Sequence, residues 1–272
     1  MKLKDEIITK AIIERFTEKF VNNLDQDVII AGAGPAGLTA AYYLAKQGFK
    51  VSIYERKLSI GGGMWGGGMM FNEIVVGEDG KEILDEFGIS YKKYENGYYT
   101  ADSVEAISTI CSKAVQAGTK IFNCMSVEDV MINKGGVCDV VINWRSVELA
   151  GFHIDPLSAR SKIVVEATGH SLEILKILEK KVDGKLFTKT GKIMGEKSMN
   201  AEIGEKTVVE NTKEIYPNVF VCGMAANAAF GANRMGPIFG GMLLSGKKLA
   251  DILAKRLGTP GVKGMVQVEE TD

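Results

Sequence analysis

The sequence is poor in histidine. Two occur in 272 residues, His153 in "GFHIDP" (151–156) and His170 at the end of "VVEATGH". Both fall in one short region beside glycines and acidic residues. Cysteine is also sparse. Cys111, Cys124, Cys138 and Cys222 lie far apart with no CxxC pair, which argues against a zinc knot or a disulfide framework and fits a reducing interior. No apolar run approaches the ~18 residues of a membrane span. Neither charge sign dominates: 33 basic residues face 34 acidic ones, with no run of either. Nothing therefore favours a nucleic-acid or membrane partner. The first residues do not follow the signal-peptide pattern. Ile7, Ile8, Ala11, Ile12, Phe16 and Phe20 recur at helical spacing with charges between them. A cytoplasmic protein is expected.

Glycine is abundant, at 32 residues, well above the roughly 7% usual in proteins. It is not repetitive, so it implies tight turns and close backbone approaches. An amphipathic helix is expected over 5–23, packing on a sheet or on another subunit. "DVIIAGAG" (27–34) reads as a buried parallel strand, "PAGLTAAYYLAKQG" as a helix, and "KVSIYER" (50–56) as the next strand. "GGGMWGGGMMF" (61–71) holds six glycines in eleven residues and is expected as a loop. Two helices are expected within 81–118 around the polar turn "YENGYY", and a β-hairpin or meander over 120–144. "KIVVEATG" and "NVFVCG" read as further strands. Helices are expected over 171–181 and from about 237 to 257, with a loop to about 210 between them.

Gly32, Gly34 and Gly37 form G-x-G-x-x-G between a strand and a helix. They supply the tight turn, the backbone approach to a pyrophosphate and close helix–strand packing. Amides at the helix N-terminus, where Ala36 lies, then face the diphosphate. Glu55 ends the next strand, 23 residues after Gly32, where a carboxylate accepts from a ribose diol. Arg56 beside it suits a phosphate or the face of adenine. This is an adenine-dinucleotide site on an α/β Rossmann fold. The pairs "VVEATG" and "VFVCGMA" resemble two landmarks of the glutathione-reductase-type flavoproteins. Those proteins usually carry an acid where Met224 stands here, so the handle for a flavin is missing. An FAD-dependent oxidoreductase of the same fold is the alternative reading.

"GAGPAGLTAAYYLAKQGFKVSIYER", "GGGMWGGGMMF", "GFHIDP", "ATGH" and "GMAANAAFGANRMGPIFGGMLLSGKKLA" together resemble the thiamine thiazole synthase family, from about residue 20 to 257. The resemblance implies one flavoprotein-like dinucleotide-binding domain over 1–272. Its N-terminal helix would be 5–23, its Rossmann core 26–60 and 160–257, and its inserted helices and β-meander 72–150. It implies that NAD is a substrate, joined with glycine and a sulfur source to give an ADP-linked thiazole carboxylate, with ferrous iron. The NAD would lose nicotinamide, the ADP-ribose would open and isomerise to a ketone, glycine would condense as an imine, and sulfide would add before ring closure. Some members donate sulfur from their own cysteine. At that position this chain has His153, so it is similar to the type that uses free sulfide over many turnovers.

The resemblance also implies site residues. Asp155 and His170 would be the metal ligands, contributed by adjacent subunits of an octamer. An oxygen and a nitrogen donor suit Fe(II), although their fifteen-residue separation carries no information by itself. His153, with Ile154 and Asp155, would lie beside NAD, either shuttling protons or only hydrogen-bonding the nucleotide. Arg234 would hold the glycine carboxylate by a bidentate pair. Gly63, Val127 and Met224 would line the nucleotide. Trp65 and the loop methionines Met64, Met69 and Met70 would cap the pocket or, for the methionines, pack in the core. None of the cysteines lies in an expected active loop.

Overall fold

The computed structural model describes residues 2–182 and 185–260. Helix α1 (Asp5–Val21) leads into β1 (Asp25–Ala31), α2 (Pro35–Lys46) and β2 (Val51–Glu55). After a 3₁₀ turn at Gly62–Gly66 come β3 (Glu73–Val76), α3 (Glu78–Phe87), β4 (Lys92–Glu95), β5 (Tyr98–Asp102) and α4 (Ser103–Gln116). Then follow β6 (Lys120–Asn123), β7 (Met125–Asn133), β8 (Gly136–Trp144), α5 (Arg145–Ala150) and β9 (Leu157–Glu166). A 3₁₀ turn at Gly169–Ser171 precedes α6 (Glu173–Lys181). The chain ends with α7 (Ala201–Glu210), β10 (Lys213–Tyr216), β11 (Val219–Val221), α8 (Met224–Phe230) and α9 (Gly240–Leu257).

The main sheet runs β10-β11-β9-β1-β2-β6. All neighbours are parallel except β10, which joins antiparallel to β11. The order reverses between β1 and β9, which makes their C-terminal ends the switch point of a doubly wound sheet. Strand β9 changes partner along one edge. Its first residues, Leu157–Arg160, pair antiparallel with β8, and Val164–Glu166 pair with β11. Residues of β1 alternate between two cores. Val28 and Ile30 face α2, α4 and α9, while Ile29 and Ala31 face α6, α8 and the β7–β8 hairpin. Both faces are covered, which is why the strand is an apolar run without alternation.

Several elements differ from the sequence expectations. The turn at "YENGYY" joins strands, not helices: β3, β5 and β4 form a small second sheet. Strand β6, within the segment expected as an insertion, is the edge of the main sheet. The glycine loop 61–71 contains a 3₁₀ turn. Helix α7 lies where a loop was expected, and α8 separates β11 from the final helix. Helix α1 buries none of its residues fully. It leans on the sheet edge through Phe20, edge-on to Phe122 at 5.4 Å, while Ile7, Ile8 and Ile12 stay exposed.

Candidate functional site

A cleft of about 650 Å³ opens at the switch point. Its floor is the glycine loop after β1. Gly32 has φ +101°, and a Cβ there would lie 2.5 Å from the Ala167 carbonyl oxygen at the end of β9. Only glycine lets the two loops meet this closely. Gly37 is buried beneath the floor, where a Cβ would sit 2.5 Å from the Gly32 oxygen. Gly34 caps α2, with Pro35 in its first turn. Gly34, Ala36 and Gly63 all line the cleft, so the positive end of α2 points into it.

Glu55 lines the cleft and is nearly buried. Its oxygens accept from the Ala33 amide at 2.8 Å and the Lys57 amide at 2.9 Å. The residue expected to meet a ribose thus also ties the glycine loop to β2, and each oxygen keeps a lone pair for a ligand. Arg56 lines the cleft and pairs with Glu173 at the start of α6. Val127 belongs to the same wall. Two buried hydroxyls there, Tyr54 Oη and Ser126 Oγ, make no hydrogen bond among the described residues. Burial pushes the Tyr54 phenol up to about 12, so it meets a ligand as a neutral donor. Met224 lines the cleft and is buried.

His170 also lines the cleft, and its loop is held from within. Glu166, fully buried at the end of β9, accepts four hydrogen bonds. They come from the Thr168 amide at 2.8 Å and hydroxyl at 2.6 Å, and from the amides of Ile174 at 2.7 Å and Leu175 at 3.3 Å. Burial raises its carboxyl above the usual carboxylate range, against the pull of those donors. The four bonds clamp both ends of the turn that carries His170. The imidazole Nδ1 is hydrogen-bonded to the Glu196 carboxylate. Glu196 sits on a segment stitched to the Arg234 loop: Lys197 N donates to Ala232 O at 2.9 Å, and Asn200 N to Arg234 O at 2.9 Å. Arg234 lines the cleft, is exposed, and has no ion-pair partner among the described residues.

Ten of the expected site residues therefore share one cavity: Gly32, Gly34, Ala36, Glu55, Arg56, Gly63, Val127, His170, Met224 and Arg234. His153, Ile154 and Asp155 do not line it. They lie on an exposed segment between α5 and β9, flanked by exposed Phe152 and Leu157. No group of three metal-ligating side chains forms among the described residues. Cys222 backs the cleft, but it is 1% exposed and burial pushes its thiol far above the usual range. Cys111 is raised to about 11 by burial. Neither is a reactive thiolate. Met64 is core, whereas Met69 and Met70 are exposed in left-handed backbone beside the cleft mouth, with Met69 lining it. Sequence reasoning missed Glu166, Glu173, Glu196 and Ser126. Only Glu173, three residues after His170 at a helix start, carried a local signal.

The profile of the Thi4 family matches residues 9–239. Thiamine thiazole synthase of Methanothermobacter thermautotrophicus is 58% identical over 257 residues, covering 94% of this chain and all of that protein. The Pyrococcus furiosus protein of the same name is 54% identical over 256 residues, covering 94% and 99%. The crystal structure of Thermovibrio ammonificans THI4 superposes with a TM-score of 0.92 at 52% identity, covering 94% of this chain and 99% of that one. Among the described residues no helix is long and apolar enough to cross a membrane.

Proposed function

Since this chain belongs to the Thi4 family, the thiamine thiazole synthases, we propose that its cleft converts NAD, glycine and free sulfide into an ADP-linked thiazole carboxylate with Fe(II). The observation that carries this reading is the meeting of three chemistries in one cavity. A phosphate-binding loop, an unpaired guanidinium and an imidazole backed by a carboxylate all face it.

In this reading the amides at the start of α2 hold the diphosphate, and Glu55, Ser126 and Val127 face the adenosine. Arg234 takes the glycine carboxylate through two parallel hydrogen bonds, which orients the amine toward the sugar carbon. The donor set of His170 and Asp155 fits ferrous iron: an imidazole nitrogen and a carboxylate oxygen are ordinary ligands for it. Two protein ligands leave positions open to substrates. A bound ferrous ion would supply Lewis acidity and a coordination position for sulfide. Asp155 lies outside the cleft of its own chain, so it would reach the metal from a second copy, and the exposed Phe152, Ile154 and Leu157 beside it suit burial against that copy. A homo-octamer satisfies this requirement. His153, from the same segment, would then exchange a proton with the bound substrate at an imidazole nitrogen or only hydrogen-bond the nucleotide. With no cysteine thiolate facing the cleft, the sulfur comes from solution.

The test is anaerobic incubation of the purified protein with NAD, glycine, sulfide and Fe(II). The expected result is repeated turnover to an adenylated thiazole. No thiazole, with iron and substrates verified present, would refute the reading. A protein that purifies yellow with flavin absorbance would support the FAD-dependent alternative.

A further inference from the structure

His170 is held twice. Glu166 fixes its backbone turn, and Glu196 engages Nδ1 of its ring. Nδ1 can share a proton with a carboxylate while the other nitrogen, Nε2, stays free to bind a metal. Nε2 makes no hydrogen bond among the described residues, and the ring lines the cleft. Glu196 comes from a distant part of the chain, 26 residues on. Its position is set by the backbone ladder between residues 194–200 and 229–234: besides the bonds of Lys197 and Asn200, Met194 N donates to Ala229 O at 3.1 Å. That ladder also carries Arg234.

We propose that Glu196 is a positioning residue for His170, holding the proton on Nδ1 so that Nε2 faces the cleft as the metal ligand. The proposal rests on the reading of His170 as a ligand. Glu196 does not touch the metal. It orients the ring and raises the basicity of Nε2, as carboxylates behind metal-bound histidines do. Because the same ladder carries Arg234, the imidazole and the glycine-binding guanidinium share one rigid support.

The tautomer is readable without any metal. With only two histidines in the chain, ¹⁵N-histidine labelling in a His153→Asn background leaves a single imidazole to observe. The expected solid-state NMR spectrum of the assembled protein has the proton on Nδ1 of His170. A proton on Nε2 overturns the proposal, whatever the variants do. The second measurement is binding of Co(II), as a stand-in for Fe(II), and of NAD to the assembled protein. Glu196→Ala should weaken Co(II) binding about 10- to 100-fold with NAD affinity unchanged. Glu196→Gln should restore most of it, because its amide oxygen still accepts from Nδ1. If Gln is as weak as Ala, with a changed Co(II) absorption spectrum, Glu196 is itself a ligand and the proposal fails. Unchanged Co(II) affinity in Glu196→Ala also sinks it. His170→Ala is the control for the underlying reading: if it binds Co(II) like the wild type, that reading fails, independently of Glu196.

Discussion

Glu205 gives the most direct test of the energetics. It lies on α7 and reaches the first turn of α9, where Oε1 accepts from the Gly241 amide at 2.7 Å. Oε2 is buried without a partner among the described residues. The carboxyl packs closely against the glycines that open α9: a Cβ on Gly240 would approach Glu205, Gly80 and Gly77, and one on Gly241 would meet Glu205 and Val208. A carboxylate at a helix N-terminus gains from the helix dipole, but burial wins, and the carboxyl is pushed from the ordinary 4.5 up to about 7. The sign follows. The folded state keeps its proton between those values while the unfolded chain loses it. Stability associated with Glu205 is therefore complete below about pH 4.5 and is lost as pH rises through about 7. At about 1.4 kcal/mol per pH unit, the loss approaches ~3 kcal/mol. Glu205→Gln keeps the acceptor for Gly241 and removes the titration. It should match the wild type at pH 5 and exceed it at pH 8 by ~2–3 kcal/mol, or roughly 5–10 °C in Tm. Thermal scans across pH 5–8 at one protein concentration measure this. A Tm difference that is flat with pH, or that shrinks as pH rises, would refute the reasoning.

Other outcomes follow from the same contacts. Gly32→Ala places a Cβ against the Ala167 carbonyl in left-handed backbone; it should cost ~3 kcal/mol, seen as a lower Tm, and abolish NAD binding by calorimetry. Glu166→Ala leaves the buried amides of Ile174 and Leu175 without their acceptor; the urea midpoint should fall by the equivalent of ~3–5 kcal/mol. Arg234→Ala should raise KM for glycine ~10- to 100-fold while KM for NAD stays put; equal rises in both would show that the loop, and not the guanidinium, was lost.

The parts of this fold that the sequence announces are those where local pattern and tertiary context agree. The run ending at Ala31, the three glycines and Glu55 lie within 24 residues of each other, so β1, α2 and β2 could be read in register. The hairpin at "YENGYY" is hard to read because β4 is a short, fully exposed polar strand and Tyr98–Asp102 takes its second partner, β3, from more than twenty residues upstream. Helix α7 hid for a similar reason. Its buried residues are few, Gly204 and Val208, so its apolar periodicity is faint. It is fixed by Asn200, whose side chain accepts from the Ile203 amide at 3.1 Å. In the site, residues next to glycine motifs were legible. Glu196 was not, because its meaning depends on a contact 26 residues away in the chain.

The change of partner along β9 has a consequence for assembly. The strand covers ten residues, a span of ~30 Å at about 3.3 Å per residue. "GFHIDP" precedes its first residue and "ATGH" follows its last. A strand held by ladder bonds to β8, β1 and β11 along its length cannot fold its ends together, so it acts as a spacer that keeps one chain's Asp155 away from its own His170. Any ion bridging the two residues then reports that two copies are in contact. Dilution of the protein should strip such an ion before it empties the cleft of nucleotide, because the glycine loop, Glu55 and Val127 all line the cavity of a single chain.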